Sequence, residues 1–143
     1  MKSKLLSERA GRTFILVFDK GDEAISALTD FARENNVLSG HFNAIGAFSR
    51  LTFGFFERER KDYKRIEIDE PVEVMSLAGN IAQAAGGPKV HAHVVVGKRD
   101  GTAHGGHLLE GHVWPTLELV LTESSQTLHR AVDEETGLPL IKL

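Results

Sequence analysis

The chain has 143 residues, which is enough for one domain with a hydrophobic core of its own. Hydrophobic residues make up 41% and charged residues 26%, an ordinary globular composition that excludes an intrinsically disordered chain. The lack of cysteine excludes disulfides and thiolate metal sites, and the formal net charge of −3 argues against unaided binding of nucleic acid. No segment has the apolar length of a membrane span or a secretory signal, so we expect a cytoplasmic protein without membrane association.

The first elements along the chain are a buried strand and the principal helix. Residues 13–18 are β-branched, aromatic or aliphatic and run into a polar turn, which is typical of a buried strand. Apolar residues at helical spacing then predict a helix over about residues 22–35, and they are Ile25, Leu28, Phe31 and Ala32. Asp19 or Asp22 can cap its start, and Asn35-Asn36 can end it in a left-handed turn.

After the helix, the apolar residues follow the two-residue period of β-strands. Strands are predicted over residues 51–57, 63–68, 71–81, 89–97, 102–109 and 116–121. Asp100-Gly101 predicts a two-residue hairpin turn, and Glu110-Gly111-His112 predicts a further turn. We therefore predict an α+β fold in a single domain over residues 1–143, with a strongly curved, mostly antiparallel sheet and one principal helix.

Three histidines predict a metal site. His91 and His93 lie two residues apart in one predicted strand, so their side chains project from the same face. His107 lies in the strand expected to pair with it. Three neutral imidazoles and an open position suit Zn²⁺ best, with iron, nickel or cobalt as alternatives, whereas an exposed polar stripe is the alternative without a metal.

The pairing register decides whether His107 can join the other two. In a regular hairpin that turns at Asp100-Gly101, His93 lies opposite Leu108, and His104 shares its face while His107 points to the other side. A one-residue bulge reverses that parity, and glycine tolerates the backbone conformation of a bulge. We therefore predict that Gly105-Gly106 forms a bulge that turns His107 toward His91 and His93.

Five motifs follow one another along the chain, and they are Phe42–Ser49, Pro71–Ile81, Val90–His93, Gly105–Leu109 and Trp114–Leu119. In this order they resemble the plant-and-prokaryote-conserved (PPC) domain family, which in plant proteins follows a DNA-binding AT-hook. The resemblance covers about residues 11–123 and leaves residues 124–143 as a C-terminal extension. It implies a compact α+β fold, a homotrimer in which sheets pack between subunits, and a metal cluster at His91, His93 and His107.

The resemblance and the residues leave three functions open. The first is a homotrimeric metal-binding module with a protein partner or a small ligand, for which Glu73–Leu77 resembles a partner-contacting segment of plant members. The second is a metal-dependent hydrolase or lyase, in which Glu118 is a candidate proton shuttle. The third is a DNA-associated regulator, which the net charge and the lack of an AT-hook core disfavour.

Overall fold

The computed structural model describes residues 1–7 and 11–143, which form nine strands and one α-helix. In chain order these are β1 (Lys2–Ser7), β2 (Thr13–Phe18), α1 (Ala24–Glu34), β3 (Gly40–Glu57), β4 (Asp62–Ile68), β5 (Val72–Ala84), β6 (Gly87–Gly97), β7 (Ala103–Glu123), β8 (His129–Val132) and β9 (Pro139–Lys142). The predicted α+β fold with one helix and a curved, mostly antiparallel sheet is confirmed. In the described part of the chain, α1 has neither the length nor the apolar character to cross a membrane.

The sheet curves until it closes on itself. β3 pairs with β5 on one side and with β7 on the other, β5 pairs with β6, and β6 returns to β7. Alternate residues of these strands face inward, and the enclosed core contains Phe42, Phe48, Leu77, Val94, Val96, Leu119 and Leu121. The remaining residues of the same strands face outward, where the site described below lies.

The helix packs against β6 and β7 and also contacts β2. Phe31 packs edge-on against Phe14 of β2, with their ring centroids 5.2 Å apart, and burial of a side chain of this size contributes about 1.5–3 kcal/mol. Glu23, rather than the predicted Asp19 or Asp22, caps the helix by accepting hydrogen bonds from the backbone of Ile25 and Ser26. Its carboxylate also accepts the backbone N–H of Gly111 in β7, a tertiary contact that favours this capping residue.

One predicted strand is longer than expected, and one predicted turn is wrong. The predicted strand 51–57 is the second half of β3, which runs unbroken from Gly40 to Glu57. The predicted turn at Glu110-Gly111-His112 lies inside β7, where these residues pair with Thr52, Leu51 and Arg50 of β3. The glycine belongs there because a Cβ at Gly111 would lie 2.7 Å from the ring of Phe48.

The C-terminal segment adds two short strands to the sheet. β8 joins β5 through a parallel bridge between Gln83 and His129, and β9 pairs antiparallel with β8. Arg130 of β8 donates hydrogen bonds to the carbonyl of Pro139, at 2.8 Å, and to the side-chain oxygen of Asn80. The first bond lies within the hairpin, and the second holds the hairpin against β5. The limits predicted for the domain core and its extension stay a prediction.

Candidate metal centre

The three candidate histidines lie together on the outward face of the sheet. His91 and His93 belong to β6, and His93 lies directly opposite His107 of β7 in the antiparallel ladder. Residues that are directly opposite in such a ladder share a face. The sheet therefore brings all three imidazoles to one place.

The hairpin loop, and not a bulge at Gly105-Gly106, sets this register. The loop consists of three residues, Arg99–Gly101, because the N–H of Lys98 bonds to the carbonyl of Thr102 at 2.9 Å. Gly101 has a φ of 84° and ends the turn. Compared with the predicted two-residue loop, the extra loop residue moves the register by one position. His107 thereby comes opposite His93, and His104 comes opposite Val96 on the other face.

The predicted bulge at Gly105-Gly106 is therefore wrong, and these glycines have another role. The β6–β7 ladder is regular from the pair of His93 and His107 to its end at Gly97 and Ala103. A Cβ at Gly105 would lie 2.5 Å from the carbonyl oxygen of Val94, and one at Gly106 would lie 2.7 Å from that of Gly54. The two glycines let β7 pack closely between its neighbours.

The imidazole nitrogens are spaced as metal ligands. One nitrogen from each of His91, His93 and His107 lies within 4.8 Å of the others. The Nε2 atoms of His91 and His93 are 3.3 Å apart. Two nitrogens bound to a tetrahedral zinc ion at about 2.0–2.1 Å are about 3.4 Å apart, so this pair already has the required spacing.

The surroundings keep two of the rings neutral. Burial lowers the pKa of His107 to about 4, with further contributions from His91, His93 and Lys89. Burial also lowers the pKa of His91, assisted by Arg130, His93 and Lys89. A metal binds the neutral imidazole, so little proton competition is expected at these two rings at neutral pH. Nδ1 of His107 is buried without a hydrogen-bond partner, which leaves its lone pair or proton unused.

Tyr63 of β4 orients His107. The two rings are stacked with centroids 4.5 Å apart and an angle of 17° between their planes. Gly54 makes room for the ring of Tyr63, because a Cβ at position 54 would lie 2.7 Å from Tyr63 Cδ1. Gly54 is itself the cross-strand neighbour of His107. Sequence reasoning missed Tyr63, because the contact depends on pairing between β3, β4 and β7.

A model of the Plants and Prokaryotes Conserved (PCC) domain matches residues 6–125. The chain belongs to the PCC domain family, which is the family called PPC in the sequence analysis, so the resemblance is confirmed.

The relatives of this PCC domain include two solved structures and one curated protein. A metal-containing protein from Archaeoglobus fulgidus is 34% identical, with a TM-score of 0.87 over 98% of this chain and 99% of the other. A putative DNA-binding protein from Bacteroides thetaiotaomicron is 29% identical, with a TM-score of 0.89 over 98% and 96%. The bifunctional protein GlmU of a Synechococcus species is 29% identical over 129 residues. That match spans 88% of this chain but only 20% of the length of GlmU.

The PCC domain does not bring Glu118 to the histidines. This residue lies between Val17 of β2 and Ile45 of β3, eleven positions along β7 from His107. Among the described residues, the group of candidate ligands contains the three histidines and no carboxylate. A role for Glu118 as proton shuttle stays a prediction without a geometric argument.

Proposed function

We propose that this PCC-domain protein binds a divalent cation, Zn²⁺, through His91, His93 and His107. The observation that supports the proposal most strongly is the 3.3 Å separation of the His91 and His93 Nε2 atoms, which suits two corners of a zinc tetrahedron. His107, with its depressed pKa and a buried nitrogen that lacks a partner, would supply the third corner. The metal content of the archaeal relative agrees with this. A zinc ion with three protein ligands keeps one position for an exchangeable ligand and acts there as a Lewis acid.

The first test is zinc binding by untagged protein that has been freed of metal with a chelator. We expect one Zn²⁺ per chain, and His93→Gln is expected to weaken the affinity more than about 100-fold because one of only three coordinating rings is lost. Competition with a chromophoric chelator measures both quantities. His104→Gln is the matched control, since His104 lies opposite Val96 on the other face. Equal affinities of the His93→Gln variant and the native chain would contradict the proposal.

The same proposal includes the homotrimeric assembly. Large apolar side chains lie exposed on the outward face of β3, β5, β6 and β7, and they are Ile45 (63%), Met75 (62%), Val95 (44%) and Val120 (38%). Val95 lies opposite Ser76, the neighbour of Met75 in the sequence, and Val120 lies opposite Asn43 of β3. An exposed apolar surface across adjacent strands is typical of a subunit contact. The cytoplasmic location expected from the sequence stays a prediction.

Light scattering tests the assembly. We expect a particle of three times the chain mass of 15.7 kDa at micromolar concentration. Ile45→Lys is expected to shift it to the monomer, because a charge would have to be buried in the contact. Val132→Lys is the control, since Val132 is also exposed (69%) but lies in β8, outside this surface. A monomeric native protein would refute the trimer.

Direct DNA binding is not part of the proposal. The Bacteroides relative carries a putative DNA-binding description, but this chain has a net charge of −3 and lacks an AT-hook core. Phosphate contacts need a surplus of Lys and Arg on one surface.

A further inference from the structure

A pocket of about 150 Å³ lies between the outward face of the sheet and the C-terminal hairpin. His91 and His107 line one side of it, and residues 138–140 of the hairpin line another. Its size is well below the roughly 300–1,000 Å³ of pockets for drug-sized ligands. It suits a molecule of about five to seven non-hydrogen atoms, since a water molecule takes up about 30 Å³ in the liquid.

The charges around this pocket are all positive. Lys89 and Arg130 line it, and no carboxylate is among its described lining residues. Neither cation forms an ion pair with a described acidic side chain. A cationic pocket with low-dielectric walls attracts anions.

Arg130 has a hydrogen-bond donor to spare. Its two terminal nitrogens bond to Pro139 and Asn80, which fixes the guanidinium group, whereas Nε is buried and has no partner. An unpaired buried donor is costly, and the charge of this fixed guanidinium group favours an anionic ligand in the pocket that Arg130 lines.

The remaining wall consists of Tyr63 and an apolar part formed by Val90, Leu138, Pro139 and Leu140. Inorganic phosphate or sulfate would leave this wall without a partner. A ligand with one anionic end and a short aliphatic end would contact both the cations and the wall.

We propose that this pocket binds a small aliphatic monocarboxylate, with its carboxylate at Arg130 and Lys89 and its hydrocarbon end on Val90 and Leu138–Leu140. The site goes beyond the proposed metal binding and does not require the ion. Its occupant would lie beside His91 and His107, where a metal-bound ligand would also be found.

The test is an NMR titration of metal-free, ¹⁵N-labelled protein with butanoate, which has six non-hydrogen atoms by its formula, on the order of what the pocket holds. We expect millimolar binding with the largest amide shifts at Val90, Arg130, Leu138 and Leu140, since Pro139 has no N–H. Butanamide, the uncharged analogue, is expected to bind at least about tenfold more weakly, because it lacks the charge that pairs with the two cations. Inorganic phosphate is expected to bind more weakly as well.

Two variants separate the charge from the packing of the hairpin. Arg130→Met and Lys89→Met are each expected to weaken butanoate binding about tenfold, and Lys89 has no described hydrogen bond whose loss could disturb the fold. Arg58→Met is the control, since Arg58 is an exposed cation outside the pocket. Equal binding of butanoate and butanamide, tighter binding of phosphate, or full affinity in the Lys89→Met variant would overturn the proposal. Because no metal is present, these outcomes leave the zinc proposal unaffected.

Discussion

Replacing His107 with glutamine is expected to weaken zinc binding more than about 100-fold. This loss exceeds the one of about 10–100-fold that is usual when a residue that only hydrogen-bonds to a metal ligand is replaced. His107 is the single candidate ligand from β7, and its ring centroid lies 5.0 Å from that of His91 and 5.4 Å from that of His93. Without it, two imidazoles on one strand would remain, and zinc requires at least three protein ligands in the sites that proteins normally build. Competition with a chelator of known affinity measures the loss.

The same substitution has a second consequence in metal-free protein, the pH dependence of stability. The pKa of His107 is about 4 in the folded chain and about 6.5 in an unfolded one. Between these two values the unfolded chain therefore binds more protons than the folded one. The contribution of His107 to the free energy of unfolding is fully present above about pH 6.5 and is lost as the pH drops toward 4. Because the ring is only half buried, we expect a loss of about 1–2 kcal/mol rather than the full value of the shift.

Urea unfolding of metal-free protein at pH 7 and pH 4.5 measures this effect. The difference in free energy of unfolding between the two pH values is expected to be smaller in His107→Gln than in the native chain. Carboxylates contribute to both proteins and cancel in the comparison. Tyr63→Phe keeps the stacked ring and serves as the control. An unchanged pH dependence in His107→Gln would contradict the depressed pKa, and unchanged zinc affinity would remove His107 from the metal site.

Much of the site could be predicted from periodicity alone. The alternation of β6 places His91 and His93 on one face whatever the partner strands are, because the side-chain period of a strand is two. The position of His107 could not be predicted in the same way. It depends on whether the hairpin loop has two or three residues, and Arg99-Asp100-Gly101 is compatible with both.

Features that depend on contacts between distant segments escaped sequence reasoning. Glycine within Glu110-Gly111-His112 suggested a turn, yet it serves there to accommodate the ring of Phe48. Arg130 and the stretch 138–140 carry no local signal for a pocket, since the pocket forms only where they meet β6 and β7. The bond from Arg130 to Asn80 likewise joins residues that are 50 positions apart. Turn and strand patterns report local preferences, and tertiary contacts overrule them at such positions.

Gly105→Ala is expected to destabilise the protein by about 2–3 kcal/mol and to weaken zinc binding at the same time. The added Cβ would lie 2.5 Å from the carbonyl oxygen of Val94, and the strand that carries this oxygen also carries His91 and His93. A backbone atom cannot move aside as a side chain does, so β6 and β7 must separate, which is the usual cost of overpacking. The separation moves His107 away from its two partners. Denaturant unfolding and the zinc competition assay measure the two effects.

Gly86→Ala is the matched control for this experiment. No atom lies within 4 Å of a Cβ built at Gly86, and its backbone is outside the left-handed region, so this substitution should be neutral or slightly stabilising. The two glycines thus separate the effect of a close backbone approach from the general effect of replacing glycine. A Gly105→Ala protein as stable as the native chain would contradict the regular, closely packed β6–β7 ladder. That result would instead support a bulge at Gly105-Gly106, because the extra residue of a bulge lies outside the ladder and has room for a Cβ.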